Sequence, residues 1–544
     1  MKKWIKSNKK TNDEKLDDLI NKLLLKEPEK RLSWEDYFNH PFFINNFKGQ
    51  GDSDSESFNE NKNDDMDELL PYRPELKNVI CQKITLLIPP SSSPYHPPTV
   101  YFMNDPKIND NNKQNNLKIK DVDIIEKKYM LLYKAYKKIP LCLAGPMKYN
   151  GIIKSKLFDN ANIIWKLKKK DERYLLLKSL NKYQKYNHFP MTSELSRKDN
   201  LYNNYYKMKI KFPNEYDYMP DTYIFPKDYD NFMNEKIKDF NLNDKTKLWI
   251  LKPCSSSRGR NIRLLTDIEN IPKKNFLASH YIYNPHLINE KKYDLRIYVL
   301  VTGFCPLKIY LFNNGMARFS NEKYDLNPEK MSNNNIHLTD FSINKISPNE
   351  ENYYSKEEFN NNEKCWTLYA LRKYFEENNL DFKLLWLKIK DIIIKAILSI
   401  TDIAIPLIKS FQLSSGNLFE LYGLDIILDE SLNPWLLEVN LNPTLNCDSQ
   451  LNLKLKSKLL TDIFNIIGVI PFSHDGKFTP MDKPNIYKDS VEEGIIESLC
   501  EFERPSGDFE RIFPLKSNIE YYSQFISNPE EENLGLWKKM RDLK

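Results

Sequence analysis

The sequence predicts a mixed α/β (α+β) fold with a mostly antiparallel central sheet and flanking helices, and three observations predict it. Apolar runs of strand length alternate with long amphipathic stretches from about residue 98 onward. Short polar turns separate neighbouring apolar runs, at 312–315 and at 429–434, which favours antiparallel pairing. Of the 544 residues, 40% are apolar, which is enough for one or more sizeable cores.

The individual elements follow from these patterns. Runs rich in apolar and β-branched residues predict strands at 248–252, 295–302, 307–312, 423–428 and 434–439. Apolar residues at helical spacing predict amphipathic helices at 366–378 and 383–402.

The first 97 residues differ in composition from the rest of the chain. Residues 49–68 are acidic and nearly free of apolar side chains, and 89–98 are rich in proline and serine, so we expect a disordered linker over 49–97. Residues 17–43 resemble the last helices of a protein-kinase C-terminal lobe, and we expect a helical remnant of that kind over 1–48. The HRD, DFG and Gly-rich motifs of a kinase do not occur in the sequence, so phosphorylation of proteins is not supported.

The charge and the cysteines exclude several classes of protein. Lys and Arg total 81 and Asp and Glu total 75, a net charge of +6 that is too mild for a protein built mainly to coat nucleic acid. The longest apolar stretch, 392–408, is interrupted by charged residues and a proline, so we expect no membrane span. Seven cysteines stand far apart without a CxxC pair, which favours free thiols in a reduced, cytosolic compartment.

The strongest chemical signal is a predicted hairpin at 419–445 that carries polar residues among apolar ones. Asp425 lies on its first strand, while Glu438 and Asn440 lie two residues apart on its second strand and so face the same side of the sheet. Two carboxylates and an amide oxygen on one face suit Mg²⁺ that is shared with phosphates. The alternative is an edge strand with solvated acids, which the apolar neighbours of Glu438 disfavour.

A serine-rich loop follows the first predicted strand. Lys252 ends that strand, and the loop leads to Arg258 and Gly259. Exposed backbone N–H groups flanked by cations can hold a polyphosphate. The loop is not a Walker motif, and a mobile loop without a ligand is the alternative.

Two arginines occur where a charge is unexpected. Arg296 stands in an otherwise apolar strand, and Arg318 follows the predicted turn at 312–315. A buried cation needs a partner, because an unpaired buried charge is very costly. An acidic substrate or a phosphate could supply the partner, and the alternative is a structural salt bridge to Asp294 or Asp325.

Together these elements resemble the tubulin tyrosine ligase-like family of ATP-grasp ligases, and most closely its glutamate-adding branch, the tubulin polyglutamylases. The resemblance spans about 98–540 and rests on NHFP (187–190), RKD (197–199), ILKP with SSRGR (250–260), SHYIYNPHLI (279–288), YDLRIYVLV (293–301), HLTDFSINK (337–345), LLEVNLNPTL (436–445) and GDFERIFP (507–514). It implies an ATP-grasp-like catalytic domain over 98–475 and a C-terminal extension, 476–544, that packs on the ligase core.

The resemblance also implies an activity. In that family ATP phosphorylates the side-chain carboxylate of a glutamate in an acidic tubulin tail, and the amine of a free amino acid, here L-glutamate, attacks the acyl phosphate. The implied cofactors are ATP and Mg²⁺, and the implied partners are tubulin or microtubules, without nucleic acid or membrane. The implied location is the cytoplasm and the cytoskeleton, on microtubules that include those of an axoneme or a basal body.

The family's functional residues carry over position by position. ATP binding is implied for Lys198, Lys252, Arg258, Gly259, Ser279, His280, Tyr281, Ile282, Lys292, Asp294, Thr339 and Asp340. Metal binding is implied for Asp425, Glu438 and Asn440. The implied catalytic residues are Arg296, which would neutralise charge on the transferring phosphoryl group, and Arg318, which would bind the incoming glutamate with Ser342 and Lys364.

Two positions depart from the family pattern. Asn261 stands where a second glycine is usual, and asparagine tolerates the positive φ that such a turn needs. Asp340 stands where the family has an asparagine near ATP, and a carboxylate there could add a metal ligand or repel phosphate. A tyrosine or glycine ligase of the same fold and a catalytically silent microtubule-binding scaffold remain as alternatives.

Overall fold

The computed structural model describes residues 85–93, 96–105, 125–127, 131–135, 139–158, 161–165, 170–237, 244–256, 259–268, 270–339, 365–441, 443–447, 449–471 and 489–542. All of them belong to the second of the two units, Met1–Glu75 and Leu76–Lys544, into which the chain divides. The helical remnant predicted for 1–48 and the linker predicted as far as residue 84 lie outside the described residues.

The described residues form strands in four sheets, with helices packed around them. The strands are β1 (Thr85–Ile88), β2 (Thr99–Val100), β3 (Ile125–Lys127), β4 (Leu131–Ala135), β5 (Ile152–Lys154), β6 (Ile163–Trp165), β7 (Lys185–Tyr186), β8 (Thr222–Ile224), β9 (Trp249–Pro253), β10 (Arg263–Leu264), β11 (Phe276–His280), β12 (Leu287–Ile288), β13 (Lys291–Phe304), β14 (Leu307–Phe319), β15 (Cys365–Thr367), β16 (Glu420–Leu428), β17 (Pro434–Leu441) and β18 (Phe509–Phe513). The α-helices are α1 (Leu141–Tyr149), α2 (Lys170–Ser179), α3 (Ser193–Ser196), α4 (Lys198–Lys211), α5 (Tyr229–Asn231), α6 (Asn334–His337), α7 (Leu368–Glu377), α8 (Phe382–Leu398), α9 (Thr401–Lys409), α10 (Gln450–Ile467), α11 (Ser490–Glu503), α12 (Ile519–Ser523) and α13 (Glu531–Asp542).

The central sheet is antiparallel, as predicted. Its strand order is β15-β14-β13-β16-β17, with β12 paired to β13 and β18 paired to β14. Two smaller sheets, β10-β9-β11-β8 and β2-β1-β3, are also antiparallel. The fourth sheet, β5-β4-β6-β7, is parallel, and the sequence did not predict it because strands of two to five residues are too short to show a period.

The central sheet is covered by helices on both faces. Leu295 of β13 lies in one core with Leu371 of α7 and Ile393 of α8. Leu300 of the same strand lies in a second core with Phe464 of α10, since odd and even residues of a strand face opposite sides. Each predicted strand overlaps an observed strand, and β13 and β14 are longer than predicted.

One predicted turn is wrong. The FNNG sequence at 312–315 lies inside β14, which continues to Phe319, so no turn ends the strand there. The register between the two strands shifts between Ile297 and Val299, so the asparagines of FNNG form a β-bulge. A Cβ atom at Gly315 would lie 2.5 Å from the Arg296 carbonyl oxygen, so the glycine serves the close approach of two strands.

The predicted helix at 383–402 is two helices. The first, α8, is capped at its N-terminus by Asp381, whose side chain accepts a hydrogen bond from the Leu384 N–H. It ends at Leu398, and α9 continues from Thr401. Among the helices that the structure describes, none is both long enough and apolar enough to cross a membrane.

Residues 85–93 and 96–98 belong to the fold, which corrects the linker predicted over 49–97 for its described part. Strand β1 pairs with β2, with Leu87 opposite Val100. The backbone N–H groups of residues 91 and 92 donate to the Glu503 carboxylate of α11, at 2.8 and 3.1 Å. The buried His96 ring contacts the Glu497 carboxylate, which also accepts from Arg504 at 2.9 Å. Composition predicted a free segment here because these partners lie some 400 residues away.

These contacts set where the N-terminus can be shortened. A chain that begins at residue 97 should melt at least about 3 °C lower than one that begins at residue 76. The shorter chain loses β1 and leaves Glu497 without its buried histidine partner. Differential scanning calorimetry of both chains, with His96→Ala in the longer one for comparison, measures the effect. Equal melting temperatures for all three would show that the segment does not stabilise the fold.

Candidate active site

A cleft of about 1160 Å³ opens between the central sheet and the β10-β9-β11-β8 sheet. Both sheets and the first residue of α4 contribute side chains to its walls. The predicted site residues that line it are Lys198, Lys252, Gly259, His280, Tyr281, Ile282, Lys292, Asp294, Arg296, Arg318, Thr339, Asp425, Glu438 and Asn440. Folding therefore brings residues from distant motifs into one site.

Other predicted site residues stand apart from the cleft or outside the described part of the chain. Ser279 is buried, and its hydroxyl lies 2.9 Å from the Thr222 hydroxyl. Adjacent strand residues face opposite sides, so His280 faces the cleft and Ser279 faces away from it. The Ser279 side chain is therefore directed away from the cleft, and ATP binding by this residue stays a prediction. Arg258, Asp340, Ser342 and Lys364 are not among the described residues.

One end of the cleft carries lysines from two elements. Lys252 is buried on β9, and Lys198 begins α4 with its backbone N–H donating to the Cys254 carbonyl oxygen at 3.2 Å. The helix start is thereby fixed to the residue that follows β9. In the loop beyond, Gly259 has φ +63° and Asn261 has φ +58°, so asparagine adopts the conformation expected of it.

Burial lowers the pKa of two cleft lysines towards neutral pH. It lowers the pKa of Lys252 to about 8, and repulsion from Lys198 contributes. It also lowers the pKa of Lys292 to about 7, and repulsion from Lys252 contributes. A bound polyanion would relieve this repulsion and favour the charged forms.

Four charged residues form a buried network across the central sheet. Arg296 lies opposite Asp425 in register and donates to both of its oxygens, at 2.6 and 3.0 Å. Arg318 lies opposite Asp294 and donates to both of its oxygens, at 2.7 and 2.5 Å. A second contact joins Arg318 to Asp425 at 2.9 Å. The salt bridge of Arg318 to Asp294 that we considered as an alternative is present, whereas Asp325 pairs with Lys330.

The two carboxylates of this network differ in acidity. Burial alone would raise the pKa of Asp425, but the Arg296 and Arg318 guanidinium groups hold it well below its usual range. Burial raises the pKa of Asp294, and repulsion from Asp425 adds to that, although Arg318 and a hydrogen bond from Thr339 oppose it. Asp425 thus stays ionised beside the cleft.

The predicted metal residues converge at the other end of this network. Asp425 lies opposite Glu438 in the β16–β17 hairpin, as the strand pattern predicted. The Asn440 amide lies 3.3 Å from the Asp425 carboxylate and 2.9 Å from that of Glu438, which also pairs with Lys198 at 2.7 Å. Two carboxylates and an amide fit Mg²⁺, which uses one or two carboxylates together with substrate phosphates. Within the described residues, no group of three or more His, Cys, Asp or Glu side chains is arranged to hold a metal ion.

The cleft also has walls that the sequence did not identify as functional. Trp165 of β6 and residues 139–141 contribute to its lining, as do residues 443–446 after β17. His337, at the end of α6, lines the cleft with Lys292. The position of His337 in the HLTDFSINK motif was a signal for it. The short parallel strands gave no comparable signal for Trp165.

Fold and cleft together describe a class of protein: a mixed α/β protein whose cleft is lined by buried lysines, arginines and carboxylates. The chain belongs to the tubulin-tyrosine ligase family, whose family model matches residues 176–476. This match confirms the family that the sequence motifs predicted.

Relatives with assigned names support the glutamate-adding branch. Over 416 residues the chain is 32% identical to "Tubulin polyglutamylase TTLL5" of Homo sapiens, and the aligned region covers 66% of this chain and 31% of that protein. It is 36% identical over 301 residues to "Tubulin monoglutamylase TTLL4" of Homo sapiens, where the aligned region covers 55% of this chain and 24% of that protein. It is 32% identical over 382 residues to "Probable beta-tubulin polyglutamylase" of Tetrahymena thermophila, covering 65% and 31%. The chain spans about a third of the length of the two polyglutamylases.

Proposed function

We propose that this chain is an ATP- and Mg²⁺-dependent ligase that adds L-glutamate to glutamate side chains in the C-terminal tails of tubulin. The named relatives support the substrate, because polyglutamylases and a monoglutamylase of tubulin are among them. The observation that carries the chemistry is the convergence in one cleft of buried lysines, a carboxylate pair and two arginines. A cytoplasmic location at microtubules follows from this proposal.

The first chemical step needs cations around the phosphates. Lys252 and Lys198 line the cleft where they can hold a polyphosphate. The acceptor carboxylate attacks the γ-phosphorus, a bond forms between them, and the bond to the bridging oxygen of ADP breaks. Arg296 lies beside this region and would neutralise charge on the transferring group, as fixed cations do in phosphoryl transfer.

Asp425, Glu438 and Asn440 would hold Mg²⁺. When bound, the ion would supply positive charge between the phosphate oxygens and thereby lower the cost of the charge that develops on them. The two arginines already balance Asp425, so the shared carboxylate couples the metal site to the network of buried charges.

The second step joins the amine of free glutamate to the acyl carbon, and inorganic phosphate leaves. Arg318 is the candidate for binding a carboxylate of the incoming amino acid, and its guanidinium lines the cleft. In this structure it forms a bidentate pair with Asp294, so the incoming carboxylate would share that guanidinium. Ser342 and Lys364 remain the expected additional contacts.

The proposal is tested with purified protein, tubulin, ATP and one labelled amino acid at a time, followed by mass spectrometry of the tails. Glutamate on glutamate side chains is the expected product, and tubulin without its tails is the control. Incorporation of glycine or tyrosine instead would identify a ligase with a different donor. Stabilisation by ATP without any product would identify a silent scaffold.

We expect ATP binding to weaken as the pH rises from 7 to 9. The pKa values of Lys252, about 8, and Lys292, about 7, are those of the protein without nucleotide, and bound phosphate raises them. The complex therefore binds more protons than the free protein does. Deprotonation of each lysine can raise the Kd for ATP up to about tenfold per pH unit. Calorimetry in two buffers with different ionisation enthalpies should detect proton uptake. Lys252→Arg does not titrate, so a pH dependence that is unchanged in this variant would contradict the role of Lys252.

A further inference from the structure

A chain of hydrogen bonds runs along the cleft wall through three lining residues. The Lys292 ammonium donates to the Tyr281 hydroxyl at 2.9 Å. The Tyr281 hydroxyl lies 3.1 Å from Nδ1 of His337, and Nε2 of His337 lies 3.3 Å from the Lys330 carbonyl oxygen. These hydrogen bonds thus join the lysine of β13 to the backbone just before α6.

The Lys330 carbonyl oxygen determines which nitrogen of His337 carries the hydrogen. The Lys330 carbonyl oxygen can only accept, so Nε2 of His337 must carry a hydrogen. Burial, helped by repulsion from Lys292, lowers the pKa of His337 to about 4, which keeps the imidazole neutral and makes Nδ1 an acceptor. Nδ1 of His337 is thus an acceptor for the Tyr281 hydroxyl, for whose hydrogen the Tyr324 oxygen competes, and the Tyr281 oxygen is left to accept from Lys292.

The surroundings of Lys292 leave this oxygen as its hydrogen-bonding anchor. The ammonium lies 4.4 Å from the centre of the Tyr281 ring and 6.0 Å from that of Tyr324, whose hydroxyl adjoins Tyr281 and donates to the Tyr283 carbonyl oxygen. Lys252 repels the ammonium and Asp294 attracts it. A planar ring restricts the direction of the Lys292 ammonium less than a single hydrogen-bond acceptor such as the Tyr281 oxygen does.

We propose that His337 is a positioning residue that acts through Tyr281 to fix the direction in which Lys292 presents its ammonium to the nucleotide. With one N–H directed at Tyr281, the other two are aimed by the geometry of the ammonium. This inference rests on the proposed ATP-dependent function. The competing role is packing alone, since the His337 ring also meets the Tyr281 ring edge-on at 6.0 Å.

Two substitutions of one residue separate these roles. His337→Leu and His337→Asn both remove the ring, but asparagine keeps an oxygen acceptor near the place of Nδ1. We expect His337→Leu to raise KM and Kd for ATP about tenfold with kcat within about twofold, the cost of one misplaced hydrogen bond to a charged group. His337→Asn should stay within about threefold of the wild type for both constants.

Tyr281→Phe tests the middle of the chain. It keeps the ring and its contact with the ammonium but removes the hydroxyl, so it should raise Kd for ATP about as much as His337→Leu does. The double variant should be no weaker than Tyr281→Phe alone, because both changes break the same chain. Additive losses would overturn the inference.

A second histidine–tyrosine pair in the protein offers a matched control. Nδ1 of His286 lies 2.9 Å from the hydroxyl of Tyr293, the residue next to Lys292, yet neither His286 nor Tyr293 lines the cleft. His286→Leu removes a histidine–tyrosine bond of the same kind and should leave Kd for ATP unchanged.

Binding is measured by displacement of a fluorescent ATP analogue, with melting temperatures recorded for each variant. Equal losses of ATP affinity in His337→Leu and His337→Asn, or wild-type affinity in His337→Leu, would overturn this inference but not the proposed function. If His337→Leu does not fold, the comparison of Tyr281→Phe with His286→Leu decides. A wild-type protein that binds no ATP would overturn the proposed function and this inference with it.

Discussion

Glu438→Gln should abolish glutamate ligation while the protein stays folded. The amide has nearly the same volume, but it removes one of the two carboxylate charges that face each other across the β16–β17 hairpin. Its side chain is 25% exposed, so the fold does not depend on its burial. We expect kcat to fall at least about 100-fold, as for the loss of a metal ligand. Mass spectrometry of tubulin tails measures the product, and circular dichroism checks the fold.

The same hairpin supplies the control for this variant. Glu430 lies in the exposed turn, so Glu430→Gln makes the same chemical change outside the cleft and should leave turnover unchanged. Wild-type turnover in Glu438→Gln would contradict a metal role for Glu438. Loss of the circular dichroism signal would instead assign Glu438 to the fold.

Arg318→Ala should lower the free energy of unfolding by about 3–5 kcal/mol, because it leaves buried carboxylates without their cation. Arg318 is 6% exposed and holds Asp294 through two hydrogen bonds as well as Asp425. Asp294→Asn in the same chain should recover part of the loss, since it removes one of the unpaired charges. Urea unfolding of the single and double variants measures both effects.

An exposed ion pair is the control for this stability effect. Lys330→Ala breaks the pair with Asp325 at the surface, and its stability should change little. Arg318→Lys keeps the charge and serves for kinetics: without the bidentate geometry, kcat/KM for glutamate should fall at least about 100-fold. Equal stability of Arg318→Ala and the wild type would show that the buried network does not hold the sheet together.

The sequence was sufficient to predict the features that depend on local pattern. Strand alternation placed Glu438 and Asn440 on one face, and the short turn before Pro434 placed Asp425 opposite Glu438. The tolerance of asparagine for positive φ predicted the conformation of Asn261. Each of these inferences needs only neighbouring residues and elementary backbone geometry.

Features that depend on register or on distant partners could not be predicted. The turn predicted at 312–315 left Arg318 without a strand position, whereas β14 in fact continues past these residues and pairs Arg318 with Asp294. The hydrogen-bond chain through Tyr281 and His337 joins residues 56 positions apart. Periodicity along the chain carries no information about such contacts.

Helix α11 has a consequence for how this protein can be inherited and rearranged. Its carboxylates join the N-terminal end of the described fold to the central sheet: Glu503 and Glu497 contact residues 91, 92 and 96, while Glu501 accepts from Thr302 and Lys308, at 2.6 and 2.8 Å. A gene fusion or exon exchange that kept the residues of the cleft but removed residues 91–96 or helix α11 would leave buried charges without partners. The catalytic unit is therefore transferable between proteins only as an uninterrupted module that includes both boundaries.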